Sequence, residues 1–540
     1  MNFKKILPFA LLLCGLSANA QTSLDWQMST FNAIDSLFGA RIAEAYPMLP
    51  KKSKPVTVAI ISRGFDVEHE DLKDVLWTNP KEKPGNGKDD DKNGYVDDVH
   101  GWNFLGKADG TNITYTREEA SRQFDKIRSR FEQLNSLGKK RTDAETKEYM
   151  HYLDLGKKSK IESLYLSMVF SKNVGTQMEE LDKRLHETYP KDNDFTFEQF
   201  QKLAPQGEEA KDSVNTMGFW VNTLTWSFAP NEKWNKRFAH RYDTYESNKQ
   251  AYEEAKAKAK DERAEIGDNL DNLDDNRYGN AELLSGNPTV GTGLAGIVGA
   301  KRGNEIGIDG VADNVRLMMV RAVPEGEAYD KDIANAIRYA VHNGAGIILL
   351  ASAKPVADNQ GFLDQAIAEA EKKGVLIVHG AGDTGYNIDN DPTSPSPVAA
   401  DGHRFTNFIN VAASDADGDP FQIADYGKKN VDLFAPGVNI YTCDTGDNYL
   451  RLTGSNAAAA VVAGVAALYK SRYPKLTAAE LRQFIIDGAK QKPSTPVERP
   501  AGGERAANQK PVECTYADLC VSSGILDAVQ SLKLIQKNVK

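Results

Sequence analysis

Residues Val56-Thr57-Val58-Ala59-Ile60-Ile61 form an unbroken, uncharged run dominated by β-branched side chains. A strand with one face in water alternates apolar and polar residues, so a continuous run predicts a strand covered on both faces. Such strands belong to parallel sheets, whose neighbours must be joined by crossover connections, usually helices. The sequence after residue 287 supplies them. Strands are predicted over 315–320, 346–350 and 375–378, with helices over 332–342 and 364–373 between them. This alternation predicts an α/β fold, a doubly wound parallel sheet with flanking helices. Residues 457–468 are apolar on every side, which predicts a helix buried at the centre.

Residues 107–286 break the pattern, being highly charged and poor in β-branched runs. Thr116-x-x-Glu119 reads as a capping box, followed by Ala120, Phe124, Ile127, Phe131 and Leu134 at helical spacing. Thr196-x-x-Gln199 reads as a second cap, and 248–266 as one long helical pattern rich in Ala, Glu and Lys. The expectation is a large α-helical insertion at 107–286, dividing a core of 55–106 and 287–535, with 21–54 as a short leader. Trp220, Trp226 and Trp234, with Phe219 and Phe228, fit a small helical core; the alternative is a set of aromatic anchors for a partner.

Residues 1–20 have the order of a secretory signal peptide: Lys4 and Lys5, then an apolar stretch, then Ala18-Asn19-Ala20. Cleavage is expected before Gln21. Cys14 raises a lipoprotein alternative, but Leu13 stands where a small residue is needed. The expected location is exported, periplasmic or extracellular, with outer-membrane association left open. Of the remaining cysteines, Cys514 and Cys520 are close enough to close a small loop, and Cys443 has no obvious mate. An excess of 76 acidic over 66 basic residues argues against a general nucleic-acid binder. No other apolar run is long enough to span a membrane.

The stretch Asp89-x-Asp91-x-Asn93-Gly94-Tyr95-x-Asp97-Asp98 places oxygens at alternate positions and then a glycine for a sharp turn. Calcium takes six to eight such oxygens. The opening matches an EF-hand loop, with Tyr95 offering its carbonyl, but His100 stands at the twelfth position. Asp98 or a distant carboxylate would have to close the shell. Calcium held by Asp89, Asp91, Asn93, Tyr95, Asp97 and Asp98 is the expectation; an acidic turn held by hydrogen bonds is the alternative. Asp268, Asp271, Asp274 and Asp275 read as an ordinary solvated acidic loop.

Four segments, in this order, resemble the subtilisin-like serine proteases, or subtilases. They are Val58-Ala59-Ile60-Ile61-Ser62-Arg63-Gly64-Phe65-Asp66 with His69 to Leu72; Val290-Gly291-Thr292-Gly293-Leu294-Ala295-Gly296-Ile297; residues 375–383; and Gly454-Ser455-Asn456-Ala457 onward to Gly464. Gly310 to Asn314 and Val431 to Gly437 fit as well. Gly94 to Asp98, Gly101-Trp102-Asn103-Phe104 and the helical insertion are similar to a subgroup seen in Bacteroidota. The resemblance implies a serine-type endopeptidase fold, yet this chain departs from the family at each chemical position. Where the family carries its Asp, this chain has Ser62. Where it carries the general-base His, this chain has Val290. The nucleophile position is Asn456, and the oxyanion-hole Asn aligns with Asp383. The family's substrate-cleft edge reads Leu349-Leu350-Ala351-Ser352-Ala353.

Acyl transfer by such a site needs a hydroxyl nucleophile, a base and a group that orients the base. Asn456 offers an amide, Val290 cannot titrate, and Ser62 carries no charge. Asp383 would put a carboxylate where a hydrogen-bond donor is needed. Ser455 is one residue away, about 100° around a helix start, and should face elsewhere. His379 reads as structural, and Asp401 with His403 as a coincidental pair. The implied function is an exported pseudoprotease that binds a peptide or protein, with an active protease or an envelope complex among the candidate partners. The alternatives are an active endopeptidase or other hydrolase with a rebuilt site, and a structural component of an envelope complex.

Overall fold

A computed structural model describes residues 25–29, 37–134, 141–203, 221, 224, 233–490, 496–502 and 511–539. The predicted signal peptide, Cys14, Phe219, Trp220, Trp226, Phe228 and the side chain of Leu134 lie outside the described residues. No described helix is long and apolar enough to cross a membrane.

Val56–Ser62 becomes a central strand, as its covered pattern requires. It pairs in parallel with Val315–Arg321 on one side and Ile347–Leu350 on the other. The seven-stranded sheet runs Gly101–Asn103, Val315–Arg321, Val56–Ser62, Ile347–Leu350, Leu376–Gly380, Phe408–Ser414 and Leu433–Pro436, every pairing parallel. Side chains alternate between two cores. Val58, Ile60, Leu317 and Leu349 enter one, while Ala59, Ile61, Met318 and Leu350 enter the other. The first core is covered by Pro288–Gly299 and Ser455–Arg472, the second by Asp330–His342 and Gln360–Lys373. Ser455–Arg472 buries every residue from Ala457 to Tyr469. Small side chains (Ala458, Ala459, Ala460, Gly464) let it lie close across the middle of the sheet.

The insertion is helical and leaves the core through a narrow neck. Asn103 and Asn280 exchange both backbone hydrogen bonds, at 2.9 and 3.0 Å. Asn103 Nδ2 also donates to Asn280 Oδ1 at 2.9 Å. Beyond the neck stand Glu119–Leu134, Asp143–Lys158, Lys160–Thr188 and Asp243–Lys258 as the longer helices. Ala120, Phe124 and Phe131 are buried against Tyr152, Leu155 and Tyr165, with Ile127 at the margin. The Thr196–Gln199 capping box forms. Trp234 is fully buried among Met178, Leu181, Leu185 and Phe200, so it is core rather than an exposed anchor.

Three local expectations are corrected. Thr116 does not cap Glu119–Leu134; its hydroxyl donates to the Glu327 carbonyl, and Glu327 Oε2 accepts from the Glu119 N–H at 2.8 Å. A side chain some 208 positions away supplies the cap, which local sequence does not reveal. The helix expected over 248–266 ends at Lys258 and resumes as a short 3-10 turn, Arg263–Ile266. Arg263 is drawn wholly into a buried ion network there, and Gly267 turns the chain at φ 85°. Asp268 belongs to that network, its side chain 2% exposed beside Arg263 and Lys331, so it is no solvated acid. Asp271 and Asp274 do face solvent, and Asp275 accepts from the Asn269 N–H at 2.7 Å. Cys443, Cys514 and Cys520 are all free thiols.

Candidate functional site

Ligand crevices in open α/β sheets form beyond the carboxyl ends of the strands. Ser62 ends its strand, and Ala351, Ser352 and Ala353 follow Leu350 at the end of the next. With Val290 and Asn456 they line one cavity of about 290 Å³, to which Asp383 and Lys354 also contribute. Positions separated by hundreds of residues thus meet where the resemblance places a catalytic site. Leu349 does not reach it. It lies inside the strand and is fully buried in the core, so only the residues past the strand end form the rim.

None of these side chains makes a nucleophile–base pair. Ser62 is fully buried, and its hydroxyl has no hydrogen-bond partner among the described residues. Val290 packs its side chain against the core. Asn456 stands at the start of Ser455–Arg472, where its Oδ1 occupies the space that a Cβ at Gly380 would need, so a side chain at 380 would displace it. Ser455 is turned away, as expected: its Oγ accepts from the Gly382 N–H at 3.1 Å. Among the described residues, no histidine lines the cavity. His379 is fully buried, with its ring nitrogens 2.9 Å from Asn410 Oδ1 and 2.8 Å from the Ser352 carbonyl, a structural placement. Asp401 accepts from the His403 backbone N–H, while the His403 ring reaches Glu371 at 3.0 Å.

Asp383 is the chemically telling residue. Both of its carboxylate oxygens accept from the Ser455 N–H, at 3.0 and 3.1 Å. That amide opens an 18-residue helix, where unpaired N–H groups and the helix dipole favour negative charge. The site is therefore supplied with an anion by the protein itself. Gly454 makes this approach feasible, since a Cβ there would stand 2.5 Å from Asp383 Oδ2. Burial pushes the carboxyl up to about 6, against the Ser455 hydrogen bonds and aided by the nearby Asp425 charge. Sequence reasoning missed Lys354 on the cavity wall. It is buried, and its ammonium is tied to Asp330 at 2.8 Å and Asp358 at 2.7 Å.

The acidic loop lies elsewhere on the chain. Asp89 accepts from the Asn93 and Gly94 N–H groups at 3.1 and 2.8 Å, and Asp91 from the Asn93 N–H at 3.0 Å. Both approach Glu82, and one oxygen from each of the three lies within 4.8 Å of the others. Ligands at 2.3–2.6 Å from one calcium ion lie no more than about 5 Å apart, so these three fit. Glu82 Oε1 accepts from the Asp90 and Asp91 N–H groups, whereas its buried Oε2 accepts nothing among the described residues. Glu82 precedes the motif and carries no local signal. Asn93 Oδ1 accepts from the Tyr95 N–H at 2.8 Å. Asp97 turns to the Asn86 and Gly87 N–H groups, at 3.1 and 2.8 Å. Asp98 is buried between Asn79, Asn93 and Tyr339, and burial pushes it up to about 6.

Among curated proteins, the chain is 33% identical over 214 residues to a thermostable alkaline protease of Halalkalibacterium halodurans, covering 38% of this chain and 55% of that one. It is 30% identical over 227 residues to subtilisin BL of Lederbergia lenta, covering 41% and 79%. The chain thus spans about half the length of the first relative. A solved structure, that of a cold adapted subtilisin-like serine proteinase, matches 46% of this chain and 78% of its own at 22% identity, with a TM-score of 0.35 that bears no weight. The Subtilase family profile matches residues 53–505, which takes in the whole cleft and the strands beneath it, and so the chain belongs to the Subtilase family.

Proposed function

We propose that this subtilase is an exported protein that holds a peptide or protein segment in its cleft without cutting it. One observation carries the reading: the Asp383 carboxylate sits on the Ser455 N–H at the mouth of the buried helix. A tetrahedral oxyanion would need donors at that position, and losing a single donor costs about 10²–10³ in rate. Here the region holds a resident acid that repels developing negative charge. Asn456 and Val290 add the lack of a nucleophile and of a base, which act as a unit in such sites. The intact sheet and buried helix support retention of the cleft as a surface. The order of residues 1–20 supports export. We further propose that Glu82, Asp89 and Asp91 hold calcium, supported by the unpartnered Glu82 oxygen.

Fluorophosphonate labelling and casein turnover by the purified protein test the main reading. No labelling and no turnover are expected, and Asn456→Ser alone should restore neither. Turnover that survives Asn456→Ala but is lost in Ser455→Ala would identify a rebuilt nucleophile and overturn the proposal.

A further inference from the structure

A small cavity of about 120 Å³ lies inside the insertion, where the start of Lys160–Thr188 meets the end of Asp243–Lys258. Ile161 and Glu162 line it from the first helix, and Tyr252 and Lys256 from the second. Arg117 and Asp125 complete the wall.

The charges on this wall are of two kinds. Arg117 and Asp125 satisfy each other at 2.6 Å, and Arg128 stands 3.8 Å from Asp125 while donating to the Tyr252 hydroxyl at 3.0 Å. Glu162 is only half satisfied. Its Oε1 accepts from Arg117 at 3.2 Å and from the Ser121 hydroxyl at 3.3 Å. Its Oε2 has no partner among the described residues, although the side chain is 1% exposed. Burial, with the Asp125 charge, raises the Glu162 carboxyl above its usual range in spite of Arg117 and Arg128, so its charge is under-compensated. Lys256 is the opposite case. Its ammonium leans over the Tyr252 ring, 5.6 Å from the centroid, and has no carboxylate in ion-pair range among the described residues. Glu162 stands in the first turn of a 29-residue helix and Lys256 in the last turn of its neighbour, the ends that favour a negative and a positive charge respectively. Two unmatched charges of opposite sign thus line one cavity without meeting each other.

We infer that this cavity holds a small zwitterion, a free amino acid of the size of glycine or β-alanine, whose ammonium donates to Glu162 and whose carboxylate accepts from Lys256. A buried charge calls for a partner, and one molecule carrying both charges supplies two at once. Size limits the choice. A cavity of about 150 Å³ takes up benzene, so the smaller volume here suits a molecule of about five or six heavy atoms and shuts out a branched side chain such as that of leucine. Ile161 and the Tyr252 ring offer apolar wall to the short methylene segment between the two charges. The site belongs to the insertion alone and stands whether or not the cleft holds a peptide.

Calorimetric titration of the full-length protein compares glycine, β-alanine, leucine, methylammonium and acetate. Glycine or β-alanine should bind at least tenfold more tightly than methylammonium or acetate, since each single ion leaves one charge-assisted contact unmade. Leucine should be excluded to the same degree. Glu162→Gln and Lys256→Met should each weaken the better zwitterion by about tenfold, the scale of one lost hydrogen bond to a charged group. Lys256 is exposed, so its replacement tests the site even if Glu162→Gln disturbs the fold. Methylammonium binding as tightly as the zwitterion, with Lys256→Met without effect, would mean a plain cation site and overturns the inference. Acetate matching the zwitterion, zwitterion binding unchanged in Lys256→Met, or no heat from any probe overturns it as well, the last result meaning a cavity filled by water alone.

Discussion

Asp268 and Glu82 are both buried acids on irregular chain, yet their oxygens end differently. Asp268 meets Arg263 at 2.5 and 3.0 Å and also Lys331, while Asp332 takes the other face of Arg263 at 2.8 Å and accepts from the Tyr278 hydroxyl at 2.7 Å. Two cations face two carboxylates, and the group is electrically closed. Glu82, Asp89 and Asp91 converge with no basic side chain in ion-pair range among the described residues. Backbone N–H groups satisfy most of their oxygens, but Glu82 Oε2 is left over. The first group fastens the returning end of the insertion to the Asp330–His342 helix. The second keeps one buried carboxylate oxygen without a partner among the described residues. Asp383 lies between these cases, satisfied by an amide yet lacking a counter-charge among the described residues.

Breaking the closed group should have the largest effect. Asp268→Ala leaves Arg263 and Lys331, 0% and 1% exposed, short of a carboxylate. Removing one partner of a buried pair costs about 3–5 kcal/mol, readable as a lower urea midpoint at unchanged slope. A loss under about 1 kcal/mol, the range of solvent-exposed pairs, would mean the network is open to water. The acid loop comes next. Calcium at about a hundred times its dissociation constant should stabilise the protein by about 2.7 kcal/mol. Glu82→Gln should erase most of that gain while leaving the chelator-treated melting temperature almost unmoved. Identical melting curves in calcium and chelator would make the loop an acidic turn.

The smallest effect concerns Asp383. Burial raises its carboxyl from 3.8 to about 6, so the folded state holds the proton over a range where the unfolded chain has released it. This group's stabilising contribution is full below about pH 4 and is lost as pH rises through about 6. Asp98, Asp330 and Asp415 are raised in the same direction, so the informative quantity is the difference between wild type and Asp383→Asn. That variant should lose about 1–2 kcal/mol less stability between about pH 4 and pH 7.5. Parallel pH profiles would place Asp383 in water.

The sheet was legible because its signal is local: Val56–Ile61 and the all-apolar 457–468 stretch each determine their own burial. The resemblance put Ser62, Val290 and Asn456 at one cleft, and the three do line one cavity. What escaped reading are long-range assignments. Glu327 caps a helix it does not belong to, Glu82 joins a motif from outside it, and Arg263 draws Asp268 out of an apparently solvated run. Asp425 is one more acid in the sequence; only folding puts it beneath Gly382 with one oxygen unpartnered among the described residues. In each case the partner is chosen by tertiary packing, and no window of sequence contains it.

The paired backbone bonds between Asn103 and Asn280 set the two ends of the insertion side by side, about 5.5 Å apart as in any such antiparallel pair. Everything between them leaves and re-enters the core at one pair of residues. Further ties then hold it in place: Tyr115–Thr116 pairs in parallel with Glu325–Gly326, Glu327 caps Glu119–Leu134, and Arg263 meets Asp332. A change of length after Glu119 and before Arg263 therefore leaves all of these named ties standing, whereas one outside that span shifts a register.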